Sequence, residues 1–204
     1  MRLLAALCLM FAVAGLADRS FAADPRYPDW PCAQAKVPEI SLAAVWNGPA
    51  LDDAGSRWKD DAKVSALVSR LAARRTPLDE AEKMIAEFLS DATAQKTEMG
   101  TLLFAGLFDT LNAQRSSVMR GLERTTRKQR EAADKIHADT RTLQALQDAP
   151  TPDQAKIDEF GNQLMWETRI FEDRQRAIKF VCEVPTAIDQ RLFALGRVIQ
   201  QEME

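Results

Sequence analysis

The sequence predicts an all-α fold: a helical bundle base, a long antiparallel coiled-coil-like helical hairpin, and an extended N-terminal strap. Three observations lead there. Between residues 50 and 149 the only proline is Pro77, and helix-forming residues dominate. Two long stretches of apolar residues at three–four spacing flank the Asp148–Thr151 turn. Five of the nine prolines are confined to residues 25–49.

The chain begins Met1-Arg2, followed by fifteen apolar residues over 3–17 and then Ser20-Phe21-Ala22. A positive start, a short apolar run and small residues at −3 and −1 are the layout of a secretory signal peptide, so 1–22 is assigned as one. The run falls short of the roughly 20 residues a membrane span needs. Leu7 occupies the position where a small residue would precede a lipidated cysteine, so Cys8 is not read as a lipid anchor. The expected location is outside the cytoplasm: periplasmic in a Gram-negative cell, secreted otherwise. No transmembrane segment is expected in the mature chain. That chain carries 25 basic against 29 acidic side chains, net −4, and two cysteines, Cys32 and Cys182. Two thiols in an exported protein predict one disulfide.

Pro25, Pro28, Pro31, Pro38 and Pro49 keep residues 23–50 mostly extended, because proline blocks helix interiors and biases its predecessor towards extended backbone. One helical turn is expected at 41–46. Trp30, Trp46, Val37, Ile40 and Leu42 supply apolar anchors for a strap lying across a helical body.

Residues 51–204 then read as a single helical domain. Val64, Leu67, Val68 and Leu71 mark a helix over about 58–75. Thr76-Pro77-Leu78-Asp79 reads as an N-cap, an N1 proline and an acidic N3 residue, opening a helix over about 77–95. Residues 99–111 are apolar almost all round and belong at the centre of the core. They open a helix over about 98–148 whose seam narrows through Leu107, Leu111, Gln114, Val118, Leu122, Thr125 and Gln129. A last helix over about 152–202 answers with Phe160, Leu164, Phe171, Arg174, Ile178 and Leu192, and Pro185 predicts a kink near 184–185. The turn makes the two helices antiparallel, with facing residue numbers summing to about 300. Gly100, Gly106 and Gly121 are expected to permit close helix packing.

Residues arranged for chemistry are few. His137 is the only histidine and sits between Asp134 and Arg141 on a helix flank, as a solvated residue would. A di-iron bundle needs a Glu-x-x-His motif on each of two helices, and two mature cysteines cannot build an all-thiolate zinc site. Neither Gly-x-Gly-x-x-Gly nor a P-loop occurs. Asp52-Asp53, Asp60-Asp61 and Asp79-Glu80 stand near helix starts, where the macrodipole favours negative charge. Trp30, Trp46, Trp58 and Trp166 are read as packing residues, with a ligand platform as the alternative. The segment Tyr27-Pro-Asp-Trp-Pro-Cys32 is distinctive but suggests no activity. No catalytic residue, metal or cofactor is assigned.

One charge feature stands out. Arg115, Arg120, Arg124, Arg127, Lys128 and Arg130 against Glu123 make a local +5. This band is the candidate anion-binding site. Nucleic acid is not expected, because net charge is negative and no aromatics interleave with the band. The leading functional expectation is a non-catalytic envelope interaction or scaffold protein. It would act through the hairpin, by pairing with a protein partner or with itself. The alternative is a binding module for anionic lipid or cell-wall polymer, and a third is a small carboxylate-dependent hydrolase. For the disulfide, alkylation of the non-reduced mature protein followed by mass measurement is expected to label neither cysteine. Label at both refutes the bond.

Overall fold

The computed structural model describes residues 24–204; the assigned signal peptide lies outside them. The chain is all-α, and no strand occurs among the described residues. Two single-turn helices, α1 (Leu42–Val45) and α2 (Ala54–Arg57), precede α3 (Ala62–Ala72) and α4 (Leu78–Ala92). A 3₁₀ turn, Thr93–Gln95, leads into the 52-residue α5 (Lys96–Gln147). The return is made by α6 (Gln154–Val181) and α7 (Glu183–Met203).

The third helix is shorter than expected at both ends. Asp61 Oδ1 accepts from the Lys63 and Val64 amides at 2.9 Å, so the capping carboxylate sets the start at residue 62. The Asp60-Asp61 doublet thus caps as expected. Asp53 precedes α2 without making a side-chain cap bond. Thr76 does not act as the N-cap of α4 either. Its hydroxyl donates back to the Arg70 carbonyl at 2.8 Å, which also accepts from the Ala73 amide at 3.3 Å, and so closes the end of α3.

The base buries the segment that is apolar all round. Leu103, Phe104, Leu107 and Leu111 of α5 meet Val64, Val68 and Leu71 of α3, Ile85 and Leu89 of α4, and Leu192, Leu195 and Ile199 of α7. Gly106 is required here: a Cβ at that position would lie 2.6 Å from Val68 Cγ2 and 2.9 Å from the Trp58 ring. Trp46, at the end of the strap's one helical turn, stacks on Phe104 with ring centroids 4.0 Å apart and planes 11° apart. Its indole N–H donates to the Pro49 carbonyl at 2.7 Å.

Beyond the base, α5 continues alongside α6 as the hairpin. The register is read from three contacts: Gln129 Nε2 to the Phe171 carbonyl at 3.0 Å, Lys135 to Glu167 at 2.5 Å, and Arg115 to Asp189 at 2.8 Å. Their residue numbers sum to 300, 302 and 304, matching the expected antiparallel alignment. At 1.5 Å per residue, α5 is about 78 Å long.

The interruption of the returning helix lies at Cys182, three residues before Pro185 rather than at 184–185. Proline has no N–H for the carbonyl four residues back, and its ring crowds that carbonyl. For Pro185 the carbonyl is that of Val181, the last residue of α6. Pro185 itself is accommodated in the first turn of α7, where its missing N–H has no intrahelical partner to lose. Cys182, at the break, is bonded to Cys32 of the strap across 150 residues.

A second lock closes the base. Arg191 of α7 is buried and donates from Nε to the Leu71 carbonyl at 2.8 Å and from Nη2 to the Thr76 carbonyl at 2.9 Å. Burial lowers the pKa of this guanidinium, and the negative end of the α3 dipole stands in for a carboxylate. Replacing it by a side chain of similar volume, Arg191→Met, is expected to lower stability by about 2–3 kcal/mol, the range for hydrogen bonds made by a charged group. Urea unfolding measures this, and an unchanged midpoint shows that water serves those carbonyls equally well.

Candidate functional site on the helical hairpin

The six cations of the predicted band do not form one surface. The helical repeat distributes them into three environments, and each has its own chemistry.

Arg115 leaves the band altogether. It is only 3% exposed and turns into the base, where Nε lies 2.8 Å from Asp189 Oδ1. The N–H is not aimed along that line, so the contact is an ion pair without a linear hydrogen bond. Nη1 lies 3.3 Å from the Pro38 carbonyl and 3.1 Å from Met119 Sδ. Burial raises the Asp189 pKa, against the opposing pull of Arg115. The buried line of α5 slips by one residue from the expected seam: Arg115 is inside, and the seam position Gln114 is exposed. A long guanidinium stem can fill that position because an acid on α7 meets it.

Arg127 and Arg130 face the strap. Arg127 donates to Asp29 Oδ2 at 2.6 Å, and Arg130 to Asp29 Oδ1. With Lys36 bonded to Glu123 at 2.5 Å, the strap pairs with α5 at positions 123, 127 and 130, all on one flank. Trp30 and Cys32 pack over Leu122, Ile178 and Cys182 on the same side. The distinctive strap segment therefore has a structural purpose residue by residue. Asp29 answers two arginines, Trp30 covers the apolar seam, Cys32 makes the disulfide, and the Tyr27 ring lies 4.4 Å from Lys36 Nζ.

Arg120, Arg124 and Lys128 recur every four residues on the other flank. None of them pairs with a carboxylate among the described residues. Arg124 and Lys128 line an open hollow of about 430 Å³ between α5 and α6, joined by Arg174 from across the cleft. Val118, Leu122, Ile178 and Val181 form its apolar floor. Gly121 borders it without crowding any neighbour: an added Cβ would meet only Arg124 Nη2, at 3.9 Å. Gly121 is therefore not a packing glycine, contrary to expectation.

Further along the arm the packing thins. Gln129 is the last buried residue of α5, and Ile178 is the only one in α6. Gln129 donates to the Phe171 carbonyl but leaves its own Oε1 buried without a partner. Thr125 is half-buried at the rim of the hollow, and Arg174 is exposed. Met165, Trp166 and Ile170 stand out from α6, Trp166 at 56% exposure and Ile170 at 47%.

The remaining candidates are dispersed. His137 is exposed, and its neighbour Lys135 pairs with Asp139 and Glu167. Among the described residues no three His, Cys, Asp or Glu side chains are grouped to hold a metal ion. Trp46 and Trp58 are buried in the base, Trp30 is half-buried under the strap and Trp166 is on the arm, so the four form no shared platform.

The Asp29 carboxyl is held below its ordinary pKa of 3.8, first by the hydrogen bond from Arg127 and then by Arg130. A lowered carboxylate stabilises the fold at pH values above the unfolded-state pKa and loses that contribution as pH falls through the folded-state one. Asp29→Asn should thus be less stable than the parent at pH 7, with the gap closing on acidification below about 3.8. Denaturation midpoints of both proteins across that range test this, and a gap that stays constant down to pH 2 refutes it. No known protein family matches the chain, and neither the curated proteins nor the solved structures contain a significant match.

Proposed function

We propose that this is an exported, non-catalytic envelope protein that presents its helical hairpin to a protein partner or to a second copy of itself. The observation that supports the reading is the set of large apolar side chains left open on the arm. Scattered apolar residues are ordinary on protein surfaces, but grouped ones mark contact sites. Trp166 and Ile170 are one helical turn apart, and Met165 adjoins them. Tryptophan is among the residues that anchor interfaces, because it removes much apolar area from water at small entropic expense. The polar seam residues add to this, since an arm that is thinly packed along its own axis keeps area available for a partner.

One further feature agrees with an extracytoplasmic setting. The Cys32–Cys182 bond belongs in an oxidising compartment. No described helix is long and apolar enough to cross a membrane.

A photo-crosslinking side chain at Ile170, and another at exposed Ala138 as a control, tests the proposal in the native envelope. The expected result is a discrete adduct from position 170 that disappears when Met165→Ala and Trp166→Ala are added, with none from 138. An adduct of twice the protomer mass identifies self-association as the mode. Absence of any adduct from 170 overturns the reading.

A further inference from the structure

We propose that the open hollow between α5 and α6 binds a long-chain carboxylate taken up as a single molecule, its head group held by Arg124, Lys128 and Arg174. This does not rest on the arm having a protein partner: the head-group site lies apart from Met165 and Trp166, and only Ile170, further along the cleft, is shared.

The strap shows what this cleft accepts. On the closed flank it lays an acid across two arginines of α5 and an indole over the apolar seam formed by Leu122 and Ile178. The open flank repeats half of that arrangement. It has the same two floor residues, again with two cations from α5 at one edge, and adds Arg174 from α6. What it lacks is the acid and the apolar cover. No carboxylate lines the hollow, and none of the three cations is paired among the described residues. A ligand that completes this flank needs an anionic head and an apolar body on one molecule.

The dimensions agree. About 430 Å³ falls within the range of roughly 300–1,000 Å³ found for small-molecule sites. A smaller hollow next to it shares Arg174 and continues the apolar floor towards the tip through Ala132, Ile136, Ile170 and Phe171, with the Lys135–Glu167 ion pair at its edge. A chain leaving the head-group site therefore has a path along the cleft. Gly121 keeps the near edge open, since any larger side chain there would stand beside the floor.

The test is calorimetric titration of the full mature protein with acetate, decanoate, dodecanoate and tetradecanoate, each below its micelle concentration. Dodecyltrimethylammonium supplies the same tail with the opposite charge. The expected result is saturable one-to-one binding of the long carboxylates and none of acetate or the cationic amphiphile. Affinity should rise by about fourfold for each added CH₂ and weaken as salt is raised. Gly121→Leu should abolish binding by filling the hollow. Arg124→Gln with Lys128→Gln should weaken it at least tenfold, and both variants should keep the parent's melting temperature. If Gly121→Leu does not fold, the double glutamine variant alone decides. Equal binding of the cationic amphiphile, binding indifferent to the variants, or no binding up to tetradecanoate overturns the proposal. Sedimentation with phosphatidylglycerol vesicles separates the source: binding to vesicles without binding to free carboxylates shows a membrane-surface contact and also overturns it.

Discussion

The covalent link between Cys32 and Cys182 is the constraint on which the arrangement of the arm depends. It fixes the strap to the point where the returning helix is interrupted ahead of Pro185, so the chain is held where its backbone ladder is weakest. In the chain-entropy picture, closing a loop of 150 residues removes about 4–5 kcal/mol of disorder from the unfolded chain. The geometric effect is more local. With Cys32 anchored, Asp29 and Trp30 are delivered to one side of the α5–α6 cleft, and Lys36 reaches Glu123 further along the same flank. Without that anchor the strap would hold to the arm through the packing of Trp30 and a few ion pairs, of which those at Asp29 are open to solvent and individually weak.

The strap also explains why the two flanks of the hairpin differ. Antiparallel helix pairs have two equivalent clefts, and among the described residues the strap covers only one. The covered side is neutralised and apolar beneath; the uncovered side keeps its cations and its hollow. A band of charge that looks continuous along the sequence becomes a paired group and an unpaired group once it is wound at 3.6 residues per turn.

Much of this was legible in the residues. Three–four spacing identified the long helices, the Asp148–Thr151 turn set their alignment, and Cys32 and Cys182, the two cysteines beyond residue 22, named the disulfide. The one-residue slip from Gln114 to Arg115 was not legible. A polar residue at a seam position is a weak marker of register, and the acid that receives Arg115 lies 74 residues away on α7. Thr76 was misread for a related reason: a capping motif shows that an N-terminus needs acceptors, but not that the preceding helix has carbonyls competing for the same hydroxyl. The division of the basic band depended on the strap, whose extended backbone has no periodicity from which a docking site can be read. Asp29 sits in a conspicuous segment, yet nothing in its neighbours points to arginines about 100 residues on.

The path of the strap has a consequence for how the molecule assembles. From Asp29 to Trp46 it travels from the arm down into the base, touching α5 at 130, 127, 123, 115 and finally 104. Every surface it needs is made after it, and the cysteine that secures it is in the last quarter of the chain. The first part of the described chain to be synthesised is therefore the last that can be put in place. Until α6 and α7 have returned along α5, Cys32 is a free thiol on an unsupported segment, open to pairing with another molecule. Local helix formation is fast, and closing contacts across more than a hundred residues is slow. The N-terminal strap thus closes as a seal over a hairpin whose surfaces must already be in place.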